Sequence, residues 1–578
     1  MAQEMAPEMQ WGPQILGEGR ARFRLWAPDR EQVTLELAEG APLVMERGSA
    51  GWFTAESLAQ PGALYRFRLD EDLAVADPAS RAQSGGPHGW SVLVDPAAYR
   101  WRSEAWCGRP WEEAVVMEVH AGVLGGYPGV IGRLAGWAGL GITAIQLMPV
   151  AAVPGTRNWG YDGVLPYAPA EDYGTPDELR ELVDRAHELG LMVLLDVVYN
   201  HFGPDGNYLG AYASAFFDAE KDTPWGGAVA VSREPVRRFF IDNALMWLTD
   251  YHFDGLRFDA VHAIDDDAFL DAMATELRER LPGRHLHLVL ENEHNDADRL
   301  APGLYSAQWN DDFHNTLHVL LTGEDEGYYA AFAEGDTTAR LARCLAEGFV
   351  FQGERCGTRE RGKPSGHLPA TAFVSFLQNH DQIGNRAMGE RLIRLADPGK
   401  LRAATALLLL CPQIPLLFMG EEEGSTAPFL FFTEFHDELA DAVREGRRKE
   451  FAHFSAFTDP AVRKTIPDPN APENFTASRP EPGEHAADWR HFYAELLALR
   501  HQHIVPRLAG AQGAGAQVLE EPNSGAVAAR WRLSDGATLG IALNLGDAAV
   551  TFPDSESQPL FALGEPGQPA SFAAWIAP

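Results

Sequence analysis

Basic residues are scarce in this sequence: 47 lysines and arginines face 82 aspartates and glutamates, for a formal net charge of -35. Phosphate recognition needs a basic footprint, so this balance speaks against nucleic acid and anionic membrane surfaces as partners and favours a neutral substrate. Cysteine is scarcer still. Cys107, Cys344, Cys356 and Cys411 stand without C-x-x-C spacing, which points to free thiols and to neither a zinc site nor a disulfide framework. The one long apolar run, LRAATALLLLCPQIPLLFMG, is broken by two prolines and a glutamine. It reads as a buried helix followed by a strand, not as a membrane span. The N-terminus MAQEMAPEMQWGP has neither a basic nor an apolar leader region, so no signal peptide is expected and the chain reads as cytoplasmic.

With 46% hydrophobic and 22% charged residues over 578 positions, the chain has the profile of a soluble globular protein of roughly three or four domains. RFRLWAP, QVTLELAEG, GWFTAES and YRFRLDED alternate apolar with polar residues and predict a small β-sandwich over residues 1–100. Short strands punctuated by Gly, Pro, Asn and Asp predict a second β-domain over 506–578.

Between them, over 101–505, apolar runs alternate with segments of helical period, the pattern of parallel strands joined by crossover helices. The runs are AVVMEVH, ITAIQLMPV, LMVLLDVVYNH, GLRFDAVH, HLHLVLENE, YSAQWND, AFVSFLQNHD and PLLFMGEE. Thr175, Pro176 and Glu178 predict a capped helix start ahead of LRELVDRAHELG, with Gly190 as its stop. Eight such runs predict an α/β protein built on a (β/α)8 TIM barrel. A doubly wound open sheet is the alternative.

Barrel active sites lie at the carboxyl ends of the strands, and those ends are chemically crowded here. The third run closes with Asp196, Asn200 and His201, the fourth with Arg257, Asp259 and His262, the fifth with Glu291, and the seventh with Asn379, His380 and Asp381. Arg257 and Asp259 are two residues apart and share a strand face. Burying four acids with few bases is unfavourable unless a water-filled, ligand-binding mouth receives them. Several carboxylates facing one pocket, without metal-ligand spacing or a Gly-rich phosphate loop, point to hydrolysis or transfer of a glycosidic bond. That chemistry needs one carboxyl ionised and one protonated. Arg257 is expected to keep Asp259 charged, which leaves Glu291 as the candidate acid. Trp159, Tyr161, Trp225 and Trp309 lie in predicted loops, where they can stack on sugar rings.

DVVYNH, GLRFDAVH, the Glu of LVLENE and FLQNHD resemble the four ordered sequence regions of the α-amylase superfamily. By that resemblance Asp259 is the nucleophile, Glu291 the general acid/base and Asp381 the acid that holds the sugar hydroxyls. Arg257, His201 and His380 then line the scissile sugar's subsite, with Tyr161 as its stacking aromatic. Asn200 is a calcium ligand in many α-amylases, but no other element of a calcium site is recognisable. No metal and no cofactor is expected.

FRLWAP, DPASRAQSGGPHGWSVLVDP, SAQWNDDFHNTLH and FLQNHDQIGNRAMGERL are similar to stretches of the malto-oligosyltrehalose trehalohydrolase family. ENEHND departs from the Asp-Ser-rich stretch usual in branching enzymes. TPWGGAVAVS resembles that family's TPWG segment, with Ala230 where an Asn is expected. The resemblance implies a retaining hydrolase acting on malto-oligosyltrehalose and related α-1,4-glucans, with Trp225, Trp309, Asn310 and Asp312 on the leaving-group side. A branching transferase and a non-catalytic glycan-binding protein are the competing readings.

Overall fold

The computed structural model describes residues 9–223, 226–264, 266–356, 359–510, 512–518, 522–552 and 558–578. At its centre eight parallel strands close on themselves: β1 (Val116–Val119), β2 (Ala144–Leu147), β3 (Met192–Val197), β4 (Gly255–Phe258), β5 (His287–Leu290), β6 (Ala307–Trp309), β7 (Phe373–Ser375) and β8 (Ile414–Phe418). Seven of them fall within the apolar runs, and β8 overlaps the eighth, starting one residue ahead of it. Closure decides against the open sheet, because β1 pairs with β8 through Val116 with Leu416 and Met117 with Leu417.

The parity of the strands explains why charges enter this interior. Val116, Ala144, Leu194, Val289 and Ala307 fill one layer of the barrel with apolar side chains. Two residues further along, on the same faces, stand Glu118, Gln146, Asp196, Glu291 and Trp309. The barrel therefore has an apolar floor beneath a polar, carboxylate-rich mouth.

The connecting helices follow their local signals. Helix Pro176–Glu188 starts at a complete capping box: Glu178 N–H donates to the Thr175 hydroxyl at 3.2 Å, and Thr175 N–H donates to the Glu178 carboxylate at 2.7 Å. Gly190 adopts φ +75° beyond its end, a conformation that favours glycine. The long apolar run forms helix Pro398–Leu410 followed by β8. Among the described residues no helix is long and apolar enough to cross a membrane.

Two antiparallel sheets precede the barrel. In Arg20–Trp26, Ala21, Phe23 and Leu25 point inward while Arg20 and Arg22 pair outward with Glu56. Trp11 ties this region to the barrel, donating to Pro235 O at 3.2 Å and packing edge-on against Phe239 at 4.9 Å. A five-stranded sheet ends the chain and rests on helix Thr337–Glu347, with Trp531 Nε1 donating to Leu345 O at 3.0 Å.

At the opposite end from the mouth, Asp254 just ahead of β4 accepts from His187 Nε2 at 2.9 Å, Val193 N–H at 2.8 Å and Trp106 Nε1 at 2.7 Å. Burial pushes its carboxyl up, but these donors outweigh burial and hold it below the ordinary range. A depressed carboxyl contributes stability that is present above its unfolded value of about 3.9 and lost as pH falls through the folded value. Asp254→Ala is expected to cost about 3–5 kcal/mol at neutral pH by leaving His187 and two N–H groups unpaired. Chemical denaturation at two pH values checks this: the deficit should shrink on the acid side.

Candidate active site

Arg257 is the hub of the mouth. Its side chain is fully buried. Nη1 donates to both oxygens of Asp196 at 2.8 Å and to Asp259 Oδ1 at 2.7 Å, and Nη2 lies 3.0 Å from Glu291 Oε2. One guanidinium thus spans acids from β3, β4 and β5. Ladder bonds continue one residue beyond the strands, Asp259 N–H to Val197 O and Glu291 N–H to Phe258 O, both at 3.0 Å, and these fix where the two carboxyl groups emerge. Between them Ala260 adopts φ +41° and donates its N–H to Glu291 Oε2 at 2.6 Å. That conformation costs a non-glycine residue about 1–3 kcal/mol, and it aims an amide at the carboxylate.

A fourth acid, Asp381, arrives on the short helix His380–Gly384 after β7. Asn379 caps it, its side chain accepting from Asp381 N–H at 2.9 Å and Gln382 N–H at 3.1 Å. Gly384 is required there, because a Cβ would stand 2.0 Å from the Trp159 ring. His380 is clamped by Glu118, which accepts from His380 N–H at 3.0 Å and contacts Nδ1 at 2.6 Å, while Nε2 faces Asp381 Oδ1 at 3.4 Å. Tyr161 stacks on His380 with ring centres 5.1 Å apart and donates its hydroxyl to Asp196 at 2.7 Å. His201 is buried nearby and hydrogen-bonded to the Tyr161 backbone; burial lowers it to about 4, so it is neutral. His262 sits at the rim, where its Nδ1 accepts from Glu293 N–H at 3.3 Å.

The charges are unequally matched. Burial lowers the His380 imidazole, but Asp381 and Glu118 overcome it and keep it a cation. Burial likewise raises Asp381, yet His380, Arg257 and Asn385 bring it below the ordinary carboxylate range. Asp196 is pushed up to about 6 by burial despite Arg257, His380 and Tyr161. Asp259 departs from expectation: burial, reinforced by Glu291, Asp196 and Asp381, drives it well above the usual value against the pull of Arg257. One cation divided among three acids cannot hold all of them ionised. The mouth therefore holds a proton more readily than isolated carboxyl groups would.

A family model described as the alpha amylase catalytic domain matches residues 90–225, and a domain of unknown function, DUF3459, matches 515–575. A malto-oligosyltrehalose trehalohydrolase of Deinococcus radiodurans is 42% identical over 504 residues, 84% of this chain and 82% of that protein. One from Saccharolobus solfataricus is 40% identical, over 75% of this chain and 79% of its own length. A solved structure from Salmonella typhimurium assigned as an alpha amylase superposes with a TM-score of 0.94 at 45% identity, covering 98% of this chain and all of its own. This chain belongs to the malto-oligosyltrehalose trehalohydrolase family.

In this member of the trehalohydrolase family, the segment after β6 differs from its sequence reading. Trp309 is 1% exposed and lies beneath Arg257, whose guanidinium sits 4.1 Å over the ring. It backs the hub and offers no face to a sugar. Asn310 is fully buried and donates to Gly348 O at 2.9 Å. Asp312, also fully buried, accepts from Asn295 Nδ2 at 3.0 Å and Val350 N–H at 2.8 Å and pairs with Arg361 at 2.9 Å. Asn310 thus braces the backbone at Gly348, and Asp312 braces Val350 and Arg361. Asp196, committed to Arg257 and Tyr161, likewise acts through them. Trp225 lies outside the described residues. Two residues were not singled out from the sequence: Glu118, a charge inside the apolar run VMEV, and Asp311, which is half-buried in the mouth.

Proposed function

We propose that this chain hydrolyses the α-1,4 bond joining a malto-oligosaccharide to a terminal trehalose, by double displacement with retention at the anomeric carbon. The observation that carries the chemistry is a single guanidinium within reach of both Asp259 and Glu291, which keeps the two carboxyl groups together. Retaining enzymes need a carboxyl separation of about 5–5.5 Å, with no room for a water between nucleophile and sugar. The substrate follows from family membership.

A proton held in the mouth has a use. As the glycosidic bond breaks, the anomeric carbon gains positive charge, which favours the ionised form of the carboxyl facing it. Asp259, held by Arg257 Nη1, then attacks that carbon. Glu291, as general acid, protonates the departing trehalose oxygen. Water next enters; Glu291 takes its proton as the water displaces Asp259 from the sugar. Asp381, ionised beside the His380 cation, is placed to accept hydroxyls of the distorted ring. Tyr161 offers an aromatic face for stacking, and His201 a neutral imidazole.

Product analysis tests this reading. Maltosyl-trehalose should yield trehalose and maltose, and amylose should gain no α-1,6 branches. New branches with little hydrolysis would assign the chain to glucan transfer.

A further inference from the structure

Asp311 begins the helix Asp311–Thr322 directly after β6, between the buried side chains of Asn310 and Asp312. Unlike them it is only half-buried. Its Oδ1 accepts from Gln382 Nε2 at 3.1 Å, and Gln382 is the neighbour of Asp381 on the helix that follows β7. Its Oδ2 has no protein partner among the described residues. The charged groups facing it are Glu291 from the end of β5, Asp381 from the β7 side, Asp312 on its own helix and Arg361 from the hairpin Glu354–Cys356 and Arg359–Arg361. Arg361 already pairs with Asp312 at 2.9 Å. Asp311 is therefore a further mouth carboxyl beside Glu291 and Asp381, with no cation of its own and one unpaired oxygen among the described residues.

An acid so placed costs the fold stability and braces little of it, since among the described residues Gln382 alone donates to it. Its chemistry suits a neutral polyol, because a carboxyl can accept from two sugar hydroxyls and, when protonated, donate to one. Its side of the mouth is also informative. Of the two acids of the mechanism around it, Glu291 acts on Asp311 more strongly than Asp381; Glu291 protonates the departing oxygen in the reading above, which places Asp311 toward the leaving group.

We propose that Asp311 is a specificity-determining residue for this reaction, hydrogen-bonding hydroxyls of the departing trehalose. The inference rests on the trehalohydrolase reading. Burial, then Glu291, Asp381 and Asp312, push this carboxyl up to about 7 against the pull of Arg361, so its protonation changes across neutrality.

The test compares wild type, Asp311→Asn and Asp311→Ala on maltotriosyl-trehalose and on maltopentaose, with inhibition by free trehalose as a readout independent of turnover. Loss of a charged hydrogen bond is expected to lower kcat/KM for the trehalosyl substrate about 10- to 100-fold in Asp311→Ala and to weaken trehalose inhibition by a similar factor. The loss on maltopentaose should be several-fold smaller. In Asp311→Asn, the pH dependence of trehalose inhibition near neutrality should flatten. Equal losses on both substrates, with trehalose inhibition unchanged, would overturn the assignment and make Asp311 a general electrostatic element. Absence of any preference for the trehalosyl substrate in the wild type would overturn the underlying reading instead. Thermal midpoints near wild type establish that the variants are folded.

Discussion

Asp259→Asn and Glu291→Gln should each lower turnover of maltotriosyl-trehalose by on the order of 10⁴-fold or more while leaving the fold intact. Each substitution preserves side-chain volume and removes a chemical role: Asn cannot form the glycosyl ester, and Gln cannot deliver a proton. The two losses differ in character. A substrate whose leaving group departs without protonation, such as an activated aryl glycoside, should restore the first step in Glu291→Gln but not in Asp259→Asn. Because Asp259 is one of several acids around one guanidinium, removing its charge relieves repulsion. Asp259→Asn should be as stable as wild type at neutral pH, or more so. Thermal melts and steady-state rates on the same preparations check both halves; wild-type turnover in folded Asp259→Asn would remove this residue from the chemistry.

Arg257→Met carries the second large effect, and here stability and activity fall together. The guanidinium is fully buried and serves Asp196, Asp259 and Glu291 at once, so its loss leaves three acids facing one another without their shared cation. Breaking a buried ion pair from one side costs about 3–5 kcal/mol. The pH dependence has a definite sign. Asp196 already titrates at about 6 in the folded protein, above its unfolded value of about 3.9. A carboxyl raised on folding binds its proton more tightly in the native state, so native stability declines as pH rises between those two values. Without Arg257 the folded-state values rise further, so the deficit should be largest above neutrality and shrink toward pH ~5. Denaturation midpoints across that range measure it. Arg257→Lys should recover part of the stability but little turnover, because an ammonium cannot bridge carboxylates from three strands in the planar geometry seen here.

The barrel was legible because its strands are buried on both faces and so read as apolar runs, each bounded by residues that cannot continue them. The site was legible for a related reason. A charge inside such a run has no structural excuse, and Arg257 and Asp259 stood out on that ground, while Asp196 stood out as an acid at a strand's carboxyl end. Glu118 carried the same signal inside VMEV and turned out to clamp His380.

What the sequence could not convey was parity and convergence. In AQWND the strand stops at Trp309 and a helix opens at Asp311, so alternation fails where it was needed: Asn310 and Asp312 turn inward and Asp311 faces the mouth. The aromatic character of Trp309 suggested a sugar platform, but its inward position beneath Arg257 makes it a support. The spacing of Arg257 and Asp259 showed a cation beside an acid and nothing of the burial that reverses the direction of the shift at Asp259, nor of Glu291 and Asp381, which arrive from elsewhere in the barrel and add to it.

The most direct measurement of the account is the anomeric form of the freshly released product. Proton NMR of maltotriosyl-trehalose digested at high enzyme concentration, recorded before mutarotation, should show trehalose and maltotriose appearing together, with the new reducing end initially α. A β product would mean single displacement by water and contradict the nucleophilic role of Asp259.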